Sequence, residues 1–269
     1  MKLKLARASL IVSLLLPLYF MVAALGVKFG LWSWQTGLVK MIIQLGAPLI
    51  GLTLLLGLVA TVVTLFRKPR TGWRMALAGL LVPVLALVYV GQVQSRSARI
   101  PPIHDVSTNI TDPPVFSPAV MAARKAAGAN PVSAMDAPMG SLPAYQGPGF
   151  AALAAKTLGQ VGHEAYPAVR PLALSADPAR VAAAAEAEAK AQGWTLATSD
   201  PAGGVIEATA ETFWFGFKDD VAIRIRPGVN GGSVVDVRST SRVGLSDIGA
   251  NAVRIEGFLA GLKVRTEAR

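Results

Sequence analysis

The residues with the most capacity for chemistry fall late in the chain. Asp219 and Asp220 are followed by the run Arg238-Ser-Thr-Ser-Arg242-Val-Gly-Leu-Ser-Asp247, and then by Asn251 and Arg254. A strand that ends here, a glycine-containing turn and a helix that begins would bring nine residues to one corner. These are Asp219, Asp220, Arg238, Ser239, Ser241, Arg242, Asp247, Asn251 and Arg254. Asp247, Asn251 and Arg254 are spaced i, i+4, i+7 and share a helix face. One chemistry for such a corner is anion binding. A helix N-terminus offers unpaired N–H groups and the arginines add charge, so a phosphate or a lipid headgroup would fit. The other is structural. Asp219, Asp220 and Asp247 nearly balance Arg238, Arg242 and Arg254, and a balanced network fixes the turn while attracting little from outside.

Catalysis finds less to work with. The chain has no cysteine, which removes disulfides, thiol nucleophiles and cysteine-based metal sites. The two histidines, His104 and His163, make no metal-ligand spacing with each other, so neither a metal nor another cofactor is expected. Ser239 and Ser241 lack a nearby histidine, and no nucleophile elbow or phosphate-binding loop occurs. Asp219 and Asp220 are neighbours on a strand and point to opposite faces, which weakens a shared carboxylate dyad. The expectation is a binding or scaffolding module that meets a lipid headgroup, an anion or an envelope protein. The alternative is an unrecognised envelope enzyme that uses the Asp/Arg cluster.

The elements that hold this corner are legible by period. Asp177-Pro178 opens an alanine-rich helix that Gly193 can close. Three strand-like runs follow: Val205 to Phe217, Asp220 to Arg226, and Ser233 to Thr240. Pro227 to Gly232 joins the last two as a hairpin. Pairing the apolar faces sets Val221 opposite Val237, Ile223 opposite Val235, and Asp220 opposite Arg238. Ser246 or Asp247 caps a final helix with a stripe of Ile248, Ala252, Ile255, Leu259 and Leu262. This predicts an α+β fold: a two-layer C-terminal domain over residues 151–269, with a mainly antiparallel sheet covered by helices on one face. Residues 100–150 carry nine prolines between Pro101 and Pro148 and read as a linker or extended segment. Val115, Phe116, Val120 and Met121 could lay part of it on the domain.

Residues 1–99 are a different polymer. They hold eleven Lys and Arg and no Asp or Glu. Of the 26 basic residues, that leaves 15 against 16 acidic in the remainder, so the formal charge of +10 belongs to the first hundred residues. Basicity therefore gives no case for nucleic acid. Ala8–Val27, Met41–Phe66 and Met75–Ser95 are uncharged and long enough to cross a hydrocarbon core of roughly 30 Å. They predict a transmembrane anchor of about three helices, near 8–27, 41–66 and 75–95, with the lipid bilayer as partner. A cleaved signal peptide is the rival for the first run, but no clear cleavage site precedes Lys28. The N-terminus and the second loop together carry seven basic residues, against four in the first loop and the flank after the third helix. The positive-inside rule then predicts a multi-pass protein of the cytoplasmic membrane, N-terminus inside, with the C-terminal domain periplasmic or otherwise extracytoplasmic.

Asp219-Asp220, Arg238 through Asn251 and Arg254-Ile-Glu256 together resemble the signature of domain-of-unknown-function family 1499. Tyr166-Pro-Ala-Val-Arg-Pro-Leu172 is similar to its earlier motif. The resemblance covers roughly residues 103–262 and departs at Ala222 and Ala252, where acidic and basic residues are common. It implies a bacterial or plastid domain that is often membrane-linked, and no particular activity.

Overall fold

The structure is a computed structural model and describes residues 1–267. The chain divides into two compact units, one of residues 1–98 with 212–216, the other of residues 99–211 with the described residues from 217 onward.

The first unit is helical. Helix α1 spans Lys2–Lys28, α2 spans Gly46–Phe66 and α3 spans Trp73–Ser97. Wide π-type turns over Gln35–Gln44 lead into α2. All three helical stretches are long and apolar enough to cross a membrane, and they extend past the uncharged runs at their ends. Their packing is inverted relative to a water-soluble bundle. Ala6, Ser9, Ser13, Thr53, Gly57, Ala60, Thr64, Ala76 and Gly79 are buried, while Ile11, Leu14, Leu15, Leu52, Leu85 and Val88 face outward. Small residues let helix backbones approach closely where lipid removes any hydrophobic drive to associate. At Gly57 the α2–α3 approach is close, since a Cβ there would lie 2.9 Å from the Leu80 Cα. The Ser13 hydroxyl donates to the Gly79 carbonyl across the α1–α3 contact. Lys2 Nζ donates to the carbonyls of Arg67, Lys68 and Pro69, each at 3.1 Å, so the N-terminus and the second interhelical loop share one end of the bundle.

The second unit is an antiparallel sheet wrapped on both faces. Its strands are β1 (Asp105–Ser107), β2 (Leu172–Leu174), β3 (Thr195–Asp200), β4 (Val205–Glu211), β5 (Lys218–Pro227) and β6 (Ser233–Ser241). The order is β1-β6-β5-β4-β3, with β2 also pairing β6. The short β1 and β2 thus share one flank of β6. Its helices are α4 (Pro118–Ala126), α5 (Leu158–Ala165), α6 (Pro178–Ala191) and α7 (Ala250–Glu267). Ser117 caps α4, a Thr157–Gln160 capping box opens α5, and Asp177 caps α6 with Pro178 in the first turn. The apolar faces of α5, α6 and α7 meet Ile206, Val221, Ile223, Val235 and Val237 in one core. Within it the Trp194 ring stacks on Phe258 at 5.3 Å.

Three expectations are corrected. The hairpin register is displaced by two residues: Val221 pairs Ser239, Ile223 pairs Val237, Asp220 pairs Thr240, and Arg238 lies opposite Ala222. The turn is five residues long because Asn230 and Gly231 take positive φ and Gly228 N–H bonds the Gly232 carbonyl, so the ladder starts at Pro227–Ser233. An even shift keeps every side chain on its intended face, which is why the period was still right. Residues 100–150 are no spacer either. They supply β1 and α4, and Phe116, Val120 and Val132 pack on Ala222 to close the face opposite α5–α7. The sheet is therefore covered on two faces, not one. Finally, Ile248 precedes α7 and is exposed, and Phe258 takes a place in the buried stripe instead.

Candidate functional site

Strand parity decides where the nine candidate residues go. Asp219, Ser239 and Ser241 share the face that carries Val221 and Val237, under α7. Asp220, Arg238 and, just past the end of β6, Arg242 use the opposite face, under α4. The expected single corner is thus two networks back to back through the sheet.

Under α7 the hub is Asn251, which is fully buried. Its amide donates to the His104 carbonyl at 3.0 Å and to Ser241 Oγ at 2.9 Å. Its carbonyl accepts from Ser239 Oγ at 2.7 Å and from Arg254 Nη1 at 2.5 Å. Arg254 also pairs with Asp219 at 2.5 Å. Asp247 caps the entry to α7, accepting from the Gly249 N–H at 2.7 Å and the Asn251 N–H at 2.9 Å. Burial raises the Asp247 carboxyl above its usual range, although those two backbone N–H groups work against it. The turn needs unusual backbone: Gly244 and Gly249 take positive φ, and so does Ile248 at 52°. Close by, Tyr145 and His104 Nδ1 lie 3.3 Å apart. Burial, then the charges of Asp105 and Asp247, push the tyrosine hydroxyl well above its usual range, so it stays protonated.

Under α4 the hub is Asp220. Arg242 grips it with two bonds, at 2.9 and 2.7 Å. Arg124 adds a third at 2.6 Å and Thr209 a fourth at 2.9 Å. A carboxylate has about four lone-pair sites, so this one is saturated. Burial opposes its charge, but the hydrogen bonds from Arg242, Thr209 and Arg124 outweigh burial and hold the carboxyl below its usual range. Donating to Asp220 in turn raises Arg242 above its ordinary value. Beside this hub Arg238 grips Asp105 with two bonds, at 2.9 and 2.6 Å, and bonds the Ser133 carbonyl. Thr240 Oγ1 donates to the same carboxylate at 2.7 Å. Further along the face Arg224 and Arg226 share Asp236, at 2.9 and 2.7 Å.

All nine expected residues are engaged in these networks. Arg124, Asp105, Thr209 and Thr240 were missed. Arg124 sits in the proline-rich stretch, where a Ser117-Pro118 helix start was the available signal. Asp105 sits in the same stretch, directly after His104, with no periodic pattern around it. Among the described residues no group of three or more His, Asp or Glu could hold a metal ion.

The arrangement holds charge without displaying it. Asp105 and Asp220 are almost fully buried, and the most open guanidinium at the two hubs, Arg242, keeps 17 % of its side-chain surface. Surface hollows of the unit are lined elsewhere, one of about 340 Å³ by Leu174, Ser175, Arg180 and Thr266, another of about 350 Å³ by Arg170, Leu172, Glu256 and Lys263. No curated protein matches the chain closely enough to count as a relative. The family described as "Protein of unknown function (DUF1499)" matches residues 105–262, a span that opens at the Asp105 that Arg238 grips and closes on the last core leucine of α7. Covering more than half of the chain, that match shows that the protein belongs to this family.

Proposed function

We propose that the protein is a membrane-anchored binding or scaffolding module of the cell envelope. Its helices hold the C-terminal unit at the extracytoplasmic face of the cytoplasmic membrane, where it meets an anionic ligand, a lipid headgroup or a protein partner. The observation that carries this reading is the saturation of Asp220. Two guanidiniums converge on one carboxylate, so the hub keeps one positive charge in excess, and Arg242 is the part of it that reaches solvent. That favours an anionic group as visitor and gives no nucleophile or free base to act on it. Catalysis by the Asp219–Asp220 pair has nothing in its favour, because the two carboxylates face opposite sides of the sheet and each is held by arginine.

Two measurements test the proposal. Native mass spectrometry of the detergent-solubilised chain should find a bound anion or anionic lipid that is lost in Arg242→Gln while the fold persists. No bound species, or one indifferent to Arg242, rules out the anion reading. For the sidedness, alkaline phosphatase fused after residue 269 should be active, and an inactive fusion puts the domain in the cytoplasm.

A further inference from the structure

We infer that the loop between β4 and β5, Thr212-Phe-Trp-Phe-Gly216, is a membrane-interface anchor whose aromatic rings enter the headgroup region of the bilayer. This rests on the membrane reading of the helices, but not on which side the domain occupies or on any ligand.

The loop presents apolar surface that the protein leaves open. Phe213 is 71 % exposed and Trp214 is 47 % exposed, at the tip of a turn closed by the Gly216 N–H on the Thr212 carbonyl. The two rings meet edge to face with centroids 5.1 Å apart, so they present one continuous apolar wedge. Adjacent exposed aromatics at a loop tip are costly in water and common where an apolar ring body meets a wet boundary.

The helical unit fixes the depth of this wedge. The loop is part of that unit, not of the sheet unit that its flanking strands belong to. Lys28 closes the last turn of α1, where the apolar run ends and charge returns. Its Nζ donates to the Phe213 carbonyl at 2.8 Å and lies 5.0 Å from the centre of the Phe213 ring. Trp32 lies at the same end, with Nε1 bonded to the Ala23 carbonyl at 3.0 Å and its ring against Gly26. Lysine and tryptophan at the end of a span mark the boundary between hydrocarbon and water. A wedge bound to Lys28 lies at that boundary, and its polar N–H and carbonyl groups suit a half-wet layer better than the hydrocarbon centre. A protein partner would need none of this registry with the end of α1.

Because the chain has no cysteine, single-cysteine spin labels test the proposal directly. Phe213→Cys, Val229→Cys and Leu15→Cys are labelled in the full chain and reconstituted in phosphatidylcholine–phosphatidylglycerol vesicles. Val229, on the hairpin loop and 85 % exposed, is the water reference, and Leu15, on the outer face of α1, is the lipid reference. The label at 213 should favour oxygen over a water-soluble nickel chelate several-fold more than the label at 229. Equal ratios at 213 and 229 overturn the proposal, whether water or another protein surrounds the loop. If Leu15 also matches 229, the membrane reading itself falls and takes the proposal with it. An independent readout keeps the native loop as parent: lipids brominated near the headgroup should quench wild-type fluorescence more than that of Trp214→Phe, and equal quenching overturns the assignment.

Discussion

Arg124 and Asp220 stand 96 residues apart in sequence and 2.6 Å apart in space, both almost fully buried. The contact ties α4 to β5 and so holds the cover on the polar face of the sheet. Arg124 also donates to the carbonyls of Thr240, Asn130 and Ser241. Removing it leaves a buried carboxylate with one arginine and several carbonyls with none. Arg124→Met should lower the stability of the detergent-solubilised chain by about 3–5 kcal/mol. Thermal and urea unfolding measure it, and a loss well under 1 kcal/mol would mean that the cover is held by Phe116 and Val120 alone.

Acid should act on Asp220 and Asp247 in opposite directions. Asp220 has a folded value below its ordinary 3.8, so the unfolded chain takes up the proton first. Its contribution is fully present above the unfolded value and is lost as the pH falls through the folded one. Asp247 is raised above 3.8, so it binds its proton more tightly in the folded state. Stability from Asp247 is fully present below 3.8 and is lost as the pH rises through the raised value. Unfolding followed from pH 3 to 7 should show Asp220→Asn flattening the acid limb and Asp247→Asn removing a decline at higher pH. Parallel curves for the two variants would contradict these environments.

Ile248 carries a left-handed backbone at φ 52° and leaves 40 % of its surface exposed. A β-branched residue in that region costs roughly 1–2 kcal/mol. Asparagine tolerates the conformation, so Ile248→Asn should raise the unfolding midpoint, with a gain on the order of 1 kcal/mol. A lower midpoint would show that the isoleucine side chain contributes more by packing than its backbone costs.

Gly57 sets a close approach between α2 and α3, with the Leu80 backbone where a side chain would begin. Gly57→Leu should separate α2 from α3 and lower the temperature at which the solubilised chain aggregates. Gly51→Leu, on the same helix with open space around it, should leave that temperature unchanged. Size-exclusion profiles after graded heating distinguish the two.

Sequence pattern revealed the longer elements: α6, β4, β5, β6, α7 and the long apolar helices α1, α2 and α3. It could not reveal β1 or β2, because a three-residue strand shows no alternation. Its place is set by β6, far off in sequence. Composition misjudged residues 100–150, where prolines suggested a spacer although Ser117-Pro118 carried the signal of a helix start. The site was legible as residue types and illegible as geometry. Adjacent carboxylates must part across a sheet, and the partner that saturates Asp220 comes from a helix whose lone arginine has no local pattern.

The pairing of β1 with β6 also orders events in time. Asp105 lies opposite Thr240, so the strand made just after α3 has no neighbour until β6, the last strand in sequence, exists. At 5–20 residues per second that wait is on the order of ten seconds. Throughout it the three helices can partition into lipid while Asp105 and its neighbours emerge as an unpaired, mobile polypeptide. Such late closure leaves the newborn chain dependent on whatever shields an open strand edge.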